Sequence, residues 1–138
     1  MKESFKRVAT RAGAMAAAVA VTTLAVPTAA HAASYNGKCG AGYNVIDSMS
    51  ITTLGTVYLT YNSATTQNCV VTIRNNPGTY MYMNAAVQLT GLDWTRQYDP
   101  GQYSTFAGPV YLYASGKCID WGGEIGSVYA QQINVHCG

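Results

Sequence analysis

From residue 43 onward, apolar and polar residues alternate in short runs with a period of two. Residues 56–62 place Val57, Leu59 and Tyr61 on one side and Thr56, Tyr58 and Thr60 on the other. Residues 68–74 group Cys69, Val71 and Ile73 opposite Val70, Thr72 and Arg74. The polar link 63–67 between them is short, which predicts an antiparallel hairpin. Residues 80–89 turn Met81, Met83, Ala85, Val87 and Leu89 one way, and Tyr80, Tyr82, Asn84 and Gln88 the other. Further strands are expected over 43–51, 105–114, 117–121 and 128–137, with Gly, Pro, Asn and Ser between them. A helix cannot bury every second residue, so the class is all-β. The expectation is one small antiparallel sandwich or barrel of about 7–8 short strands.

The first thirty-two residues follow a different rule. Lys2, Lys6, Arg7 and Arg11 precede an Ala- and Val-rich stretch over 12–26, then Pro27 and the small-residue site Ala30-His31-Ala32. This is the order of a secretory signal, with cleavage expected after Ala32. A spanning helix needs roughly 20 apolar residues. This run is shorter and is interrupted by Thr22 and Thr23. The division is therefore a signal peptide over 1–32 and one secreted β domain over 33–138, free of the membrane after cleavage.

Removing the leader changes the charge. The whole chain carries a formal +2, but residues 33–138 hold Lys38, Arg74, Arg96 and Lys117 against Asp47, Asp93, Asp99, Asp120 and Glu124, or 4 − 5 = −1. Without a basic patch there is no electrostatic footprint for nucleic acid. Four cysteines, Cys39, Cys69, Cys118 and Cys137, fall in the exported part. An even count in an oxidising compartment reads as two disulfides, for which three pairings exist. Pairing 39–69 with 118–137 is favoured, because each bridge then ties neighbouring segments. No two cysteines have the close spacing of a metal site, so no metal or cofactor is expected.

Candidate chemistry is sparse. His136 is the single histidine of the exported part, beside Cys137, and no G-x-S-x-G elbow occurs. Asp120 and Glu124 flank Trp121-Gly122-Gly123, with the two glycines read as a turn, and are the one carboxylate pair worth weighing for glycoside chemistry. Trp121 itself is expected to pack the core near a bridge. The compositional anomaly is eleven tyrosines, all after residue 32. Tyr58, Tyr80, Tyr82, Tyr111 and Tyr113 fall opposite the aliphatic positions, which makes them a candidate aromatic binding face. Residues 75–79 and 92–102 are the loops an inhibitor would need.

Tyr35-Asn36-Gly37-Lys38-Cys39-Gly40-Ala41-Gly42-Tyr43 is followed by Gly55-Thr56-Val57-Tyr58-Leu59-Thr60-Tyr61-Asn62 and Asn68-Cys69-Val70-Val71-Thr72. Tyr103-Ser104-Thr105-Phe106-Ala107-Gly108-Pro109-Val110 and Cys118-Ile119-Asp120-Trp121-Gly122-Gly123 complete the series. In this order the runs resemble the spore-associated protein A family of filamentous actinomycetes, across essentially all of 33–138. The resemblance implies a small exported protein found with spores or in the medium, and offers no catalytic residues to carry over. The expected function is thus a secreted, spore- or cell-surface-associated protein with a non-catalytic structural or binding role. A glycan-binding module is the alternative, and a cell-wall-active enzyme ranks below both. The partners expected are a cell-wall glycan or a spore-surface protein.

Overall fold

Period-two patterning closes here into two stacked antiparallel sheets. The structure, a computed structural model, describes residues 31–138 together with the isolated Ala18. The expected leader, apart from Ala18, His31 and Ala32, lies outside the described residues. In chain order the strands are β1 (Asn44–Ile51), β2 (Gly55–Asn62), β3 (Gln67–Arg74), β4 (Met81–Leu89), β5 (Leu92–Tyr98), β6 (Gly101–Tyr103), β7 (Phe106–Tyr113), β8 (Ile119–Ile125) and β9 (Val128–Val135). One sheet runs β1-β2-β3-β7; the other runs β5-β4-β8-β9, with β6 pairing the free end of β4. Among the described residues there is no helix, so the fold is the all-β sandwich expected.

The predicted β2–β3 hairpin is present in full register, from Gly55 opposite Arg74 to Asn62 opposite Gln67. The nine strands exceed the expected count by β5 and β6, which occupy most of the stretch 92–102 read above as a loop. Its burial pattern explains the difference: Thr95 is the sole buried residue of β5, so no apolar alternation marks it. A second correction concerns Gly122 and Gly123. They do not turn the chain but lie in the middle of β8, paired to Ala86 and Ala85 on β4.

The core between the sheets contains Val57, Leu59, Val70, Met83, Val87, Val110, Leu112, Ile119, Trp121 and Ile125, all buried. Gly123 belongs to this interface, because a Cβ there would sit 2.2 Å from Thr72 Oγ1. Glycine at this point permits a closer approach of the sheets than any side chain would.

β3 is buried on both faces. Val70 and Thr72 point into the sandwich, yet Cys69, Val71 and Ile73 on the outer face are also buried. The cover is the irregular segment 33–43. It is held by the Cys39–Cys69 disulfide, by the Tyr111 hydroxyl donating to the Cys39 carbonyl at 3.0 Å, and by the Tyr58 hydroxyl donating to the Ala33 carbonyl. Tyr35 packs on Tyr58 and Tyr43 on Tyr111, while the Lys38 ammonium lies over the Phe106 ring. The second disulfide joins Cys118, just before β8, to Cys137, just after β9. Both bridges are the favoured pairs.

Candidate functional site: an aromatic-walled groove on the five-stranded sheet

Among the described residues, the outer face of the five-stranded sheet has no such cover. Its floor comes from the outward residues of the two central strands, and the smallest of these are neighbours: Ala86 on β4 pairs with Gly122 on β8. Gly122 has no room for a side chain, since a Cβ would lie 2.4 Å from the Ala130 carbonyl oxygen on β9. Small residues in the middle and large ones on the flanking strands turn a sheet face into a groove. Its volume is about 910 Å3.

The walls are aromatic and exposed. β5 contributes Trp94 and Tyr98, at 82% and 58% exposure, with the Arg96 guanidinium 5.5 Å from the Tyr98 ring. β9 contributes Tyr129 at 67% and Ile133 at 59%, and Tyr82 stands at one end of the floor. Leaving such side chains in water sacrifices burial that would contribute about 1.5–3 kcal/mol each. Apolar surface clustered around a concavity with polar groups between is the usual form of a ligand site. Among the described residues, the side chains of Gln131 and Glu124 in this groove have no hydrogen-bond partner.

Asp120 organises one end. Its carboxylate accepts from the Thr90 hydroxyl at 2.6 Å, from the Asn134 backbone N–H at 2.9 Å and from the Gln88 amide at 3.2 Å. The same Gln88 amide also donates to Asp93. The register irregularity between β8 and β9 falls here, with Asn134 at a φ of 59°, so the carboxylate fills a bulge in β9. Burial pushes the Asp120 carboxyl up, but the three donors outweigh it and hold it below its ordinary value. A carboxylate with its oxygens occupied in this way is structural.

Glu124 faces the same way four residues along β8, whose register with β4 is unbroken. At a rise of about 3.3 Å per residue the two backbones stand about 13 Å apart. Paired glycosidase carboxyls lie about 5–9.5 Å apart. Among the described residues, no three His, Cys, Asp or Glu side chains are gathered closely enough to hold a metal ion. His136 pairs with Asp47 at 2.9 Å and ties the segment after β9 to β1. The loop 75–79 is pinned by Arg74 donating to the Thr79 carbonyl and by Gly78 N–H donating to Ser104.

The five tyrosines singled out in the sequence do not share a surface. Tyr58, Tyr111 and Tyr113 lie on the outer face of the four-stranded sheet, the first two committed to the 33–43 segment. Burial and the neighbouring Tyr43 and Tyr35 hydroxyls raise the Tyr111 phenol above its ordinary value. Tyr80, just before β4, and Tyr82 belong to the opposite side of the sandwich, and only Tyr82 lines the groove. Sequence reasoning missed Trp94, Tyr98 and Tyr129 as a group. The available signal was Asp93-Trp94-Thr95-Arg96-Gln97-Tyr98, where two aromatics sit among polar residues with no apolar partner in step.

No family model matches the chain, and no solved structure matches it. Among curated proteins it is 52% identical over 133 residues to Spore-associated protein A of Streptomyces coelicolor, a match covering 94% of this chain and 84% of that protein. The ordered motifs and the cysteines that carried the resemblance lie within a chain related almost end to end.

Proposed function

The chain belongs to the spore-associated protein A family, and we propose that it acts after export, at the spore or cell surface, as a non-catalytic binding protein whose working surface is the aromatic-walled groove. The observation that carries this reading is the uncovered Trp94, 82% exposed, facing a groove whose opposite wall presents Tyr129 at 67%. Segment 33–43 covers the β3 side of the other sheet's outer face, whereas among the described residues nothing covers the groove. The name of the relative supports a spore-associated setting. The leader-like residues 1–32 support export. Absence of catalysis is supported by the Asp120 carboxylate being engaged by three donors, and by the backbones of Asp120 and Glu124 standing about 13 Å apart.

Retention on purified spore walls and vegetative cell walls tests the reading. Two rings that each contribute about 0.5–1.5 kcal/mol to a stacked contact predict a loss of roughly 5- to 150-fold in the Trp94→Ala/Tyr129→Ala variant. Because both side chains are exposed, that variant should melt with the wild type. Retention equal to wild type by a folded double variant would remove the groove as the working surface. Activity on wall polymers abolished by Asp120→Asn and Glu124→Gln would instead make the protein an enzyme.

A further inference from the structure

We infer that the ligand of this groove is a neutral, unbranched polysaccharide chain lying along β4 and β8, between the walls supplied by β5 and β9. The inference rests on the groove being the working surface, and it names the chemistry recognised there.

Charge comes first. The groove holds Asp93, Asp120 and Glu124 against Arg96, a formal balance of 1 − 3 = −2. Arg96 is moreover drawn over the Tyr98 ring. A polyanionic wall polymer would meet net repulsion here, in a concavity that concentrates the field. Shape comes second. The outward residues of β4 run from Tyr82 to Gln88, six steps along the strand or about 20 Å of floor at about 3.3 Å each. Ala86 and Gly122 lower the floor at its middle, between the polar pairs Asn84–Glu124 and Gln88–Asp120, so a chain of several units fits lengthwise with polar groups beneath it, whereas a branch would strike a wall. The walls supply ring faces, which suit the apolar C–H faces of sugar rings.

Polar complementarity is the third consideration. A sugar hydroxyl both donates and accepts, and a side-chain amide is the neutral group that answers both needs. Gln131, paired to Gly122 on the outer face, lines the groove without a partner among the described residues, and Glu124 adds an acceptor. A folded protein partner fits less well, since protein interfaces centre on a closed apolar pocket that takes an anchor side chain. The centre of this surface is a flat Ala–Gly floor.

The test is calorimetric titration of the exported protein, purified with its disulfides formed, using the N-acetylglucosamine hexamer and cellohexaose as neutral probes and alginate as a polyanion. Saturable binding of a neutral hexamer is expected, with a dissociation constant unchanged as salt rises from about 0.1 M to about 1 M. Trp94→Ala should weaken it at least about tenfold, and alginate should not bind. Alginate binding that falls with salt overturns the inference. So does spore-wall retention that depends on Trp94 but that no neutral hexamer displaces; the groove then remains the working surface and its partner is a protein. Hexamer binding that both Trp94→Ala and Tyr129→Ala leave intact places the ligand elsewhere and overturns both readings.

Discussion

Gly123→Ala places one methyl group where the two sheets come closest, and the structure predicts a large response. The new Cβ would stand 2.2 Å from Thr72 Oγ1 and 2.9 Å from Val57 Cβ. Both neighbours are fully buried, and Thr72 Oγ1 donates to the Asn84 carbonyl at 2.8 Å, bridging β3 and β4 across the core. Relief requires either a shift of the sheets, at about 1–3 kcal/mol for an overpacked core, or rotation of the Thr72 hydroxyl, which gives up a hydrogen bond contributing about 1 kcal/mol. Reduced freedom of the unfolded chain returns about 0.4–1 kcal/mol. A net destabilisation of about 1–2 kcal/mol corresponds to a melting temperature lower by about 4–16 °C for a domain of this size. Scanning calorimetry of the oxidised protein measures it. Gly78→Ala is the control, because a Cβ there meets nothing within 4 Å, and it should melt with the wild type. If the clash is with Thr72, the Thr72→Ala/Gly123→Ala pair should cost less than the sum of the single changes by about 1 kcal/mol or more. A Gly123→Ala variant melting within about 3 °C of wild type would refute the sheet spacing on which the argument depends.

Asp120→Asn removes a carboxyl held below its ordinary value of 3.8. A group depressed in this way adds stability above its unfolded value and loses it as pH falls through the folded one. The variant should therefore be less stable than wild type at neutral pH, and the difference should close below about pH 4 in urea titrations; a gap independent of pH would contradict the network. Reduction of the disulfides, which span 30 and 19 residues, should remove about 3–4 kcal/mol each. Equal melting with and without reductant would exclude that contribution. Tyr111→Phe and Tyr58→Phe each delete one hydroxyl that ties down segment 33–43. Each should lower stability by about 1 kcal/mol and speed amide exchange in 33–43 before exchange elsewhere; unchanged exchange there would mean the segment is held by the bridge alone.

What could be read from the sequence follows from where water lies. β2, β3 and β4 turn every second residue into the core, so their inner faces were written in Val57, Leu59, Val70, Met83 and Val87. β5 buries Thr95 and turns Asp93, Trp94 and Arg96 to solvent, so nothing in its hydrophobicity distinguishes it from a loop. Gly122-Gly123 read as a turn because glycine weakens strands, whereas the pair is required by two close approaches on opposite faces of β8. The tyrosine face failed for a related reason. Alternation tells which residues leave the core, but not onto which of two sheets, or beneath what cover, they emerge. Cys69, Val71 and Ile73 gave a partial warning, since their side of β3 was as apolar as the other. Segment 33–43, which covers them, has no periodicity to detect.

The groove separates two kinds of constraint. Its floor is fixed by the fold: Gly122 cannot accept even a methyl group against the Ala130 carbonyl. Its rim is not, because Trp94, Tyr98, Tyr129 and Ile133 are mostly in water and bury little that the domain needs. Selectivity can accordingly drift, or be engineered, by exchanging rim side chains on β5 and β9 with little change in melting temperature. A library confined to these four positions would sample new ligands on one unchanged scaffold, and related proteins facing different surfaces would be expected to differ there first.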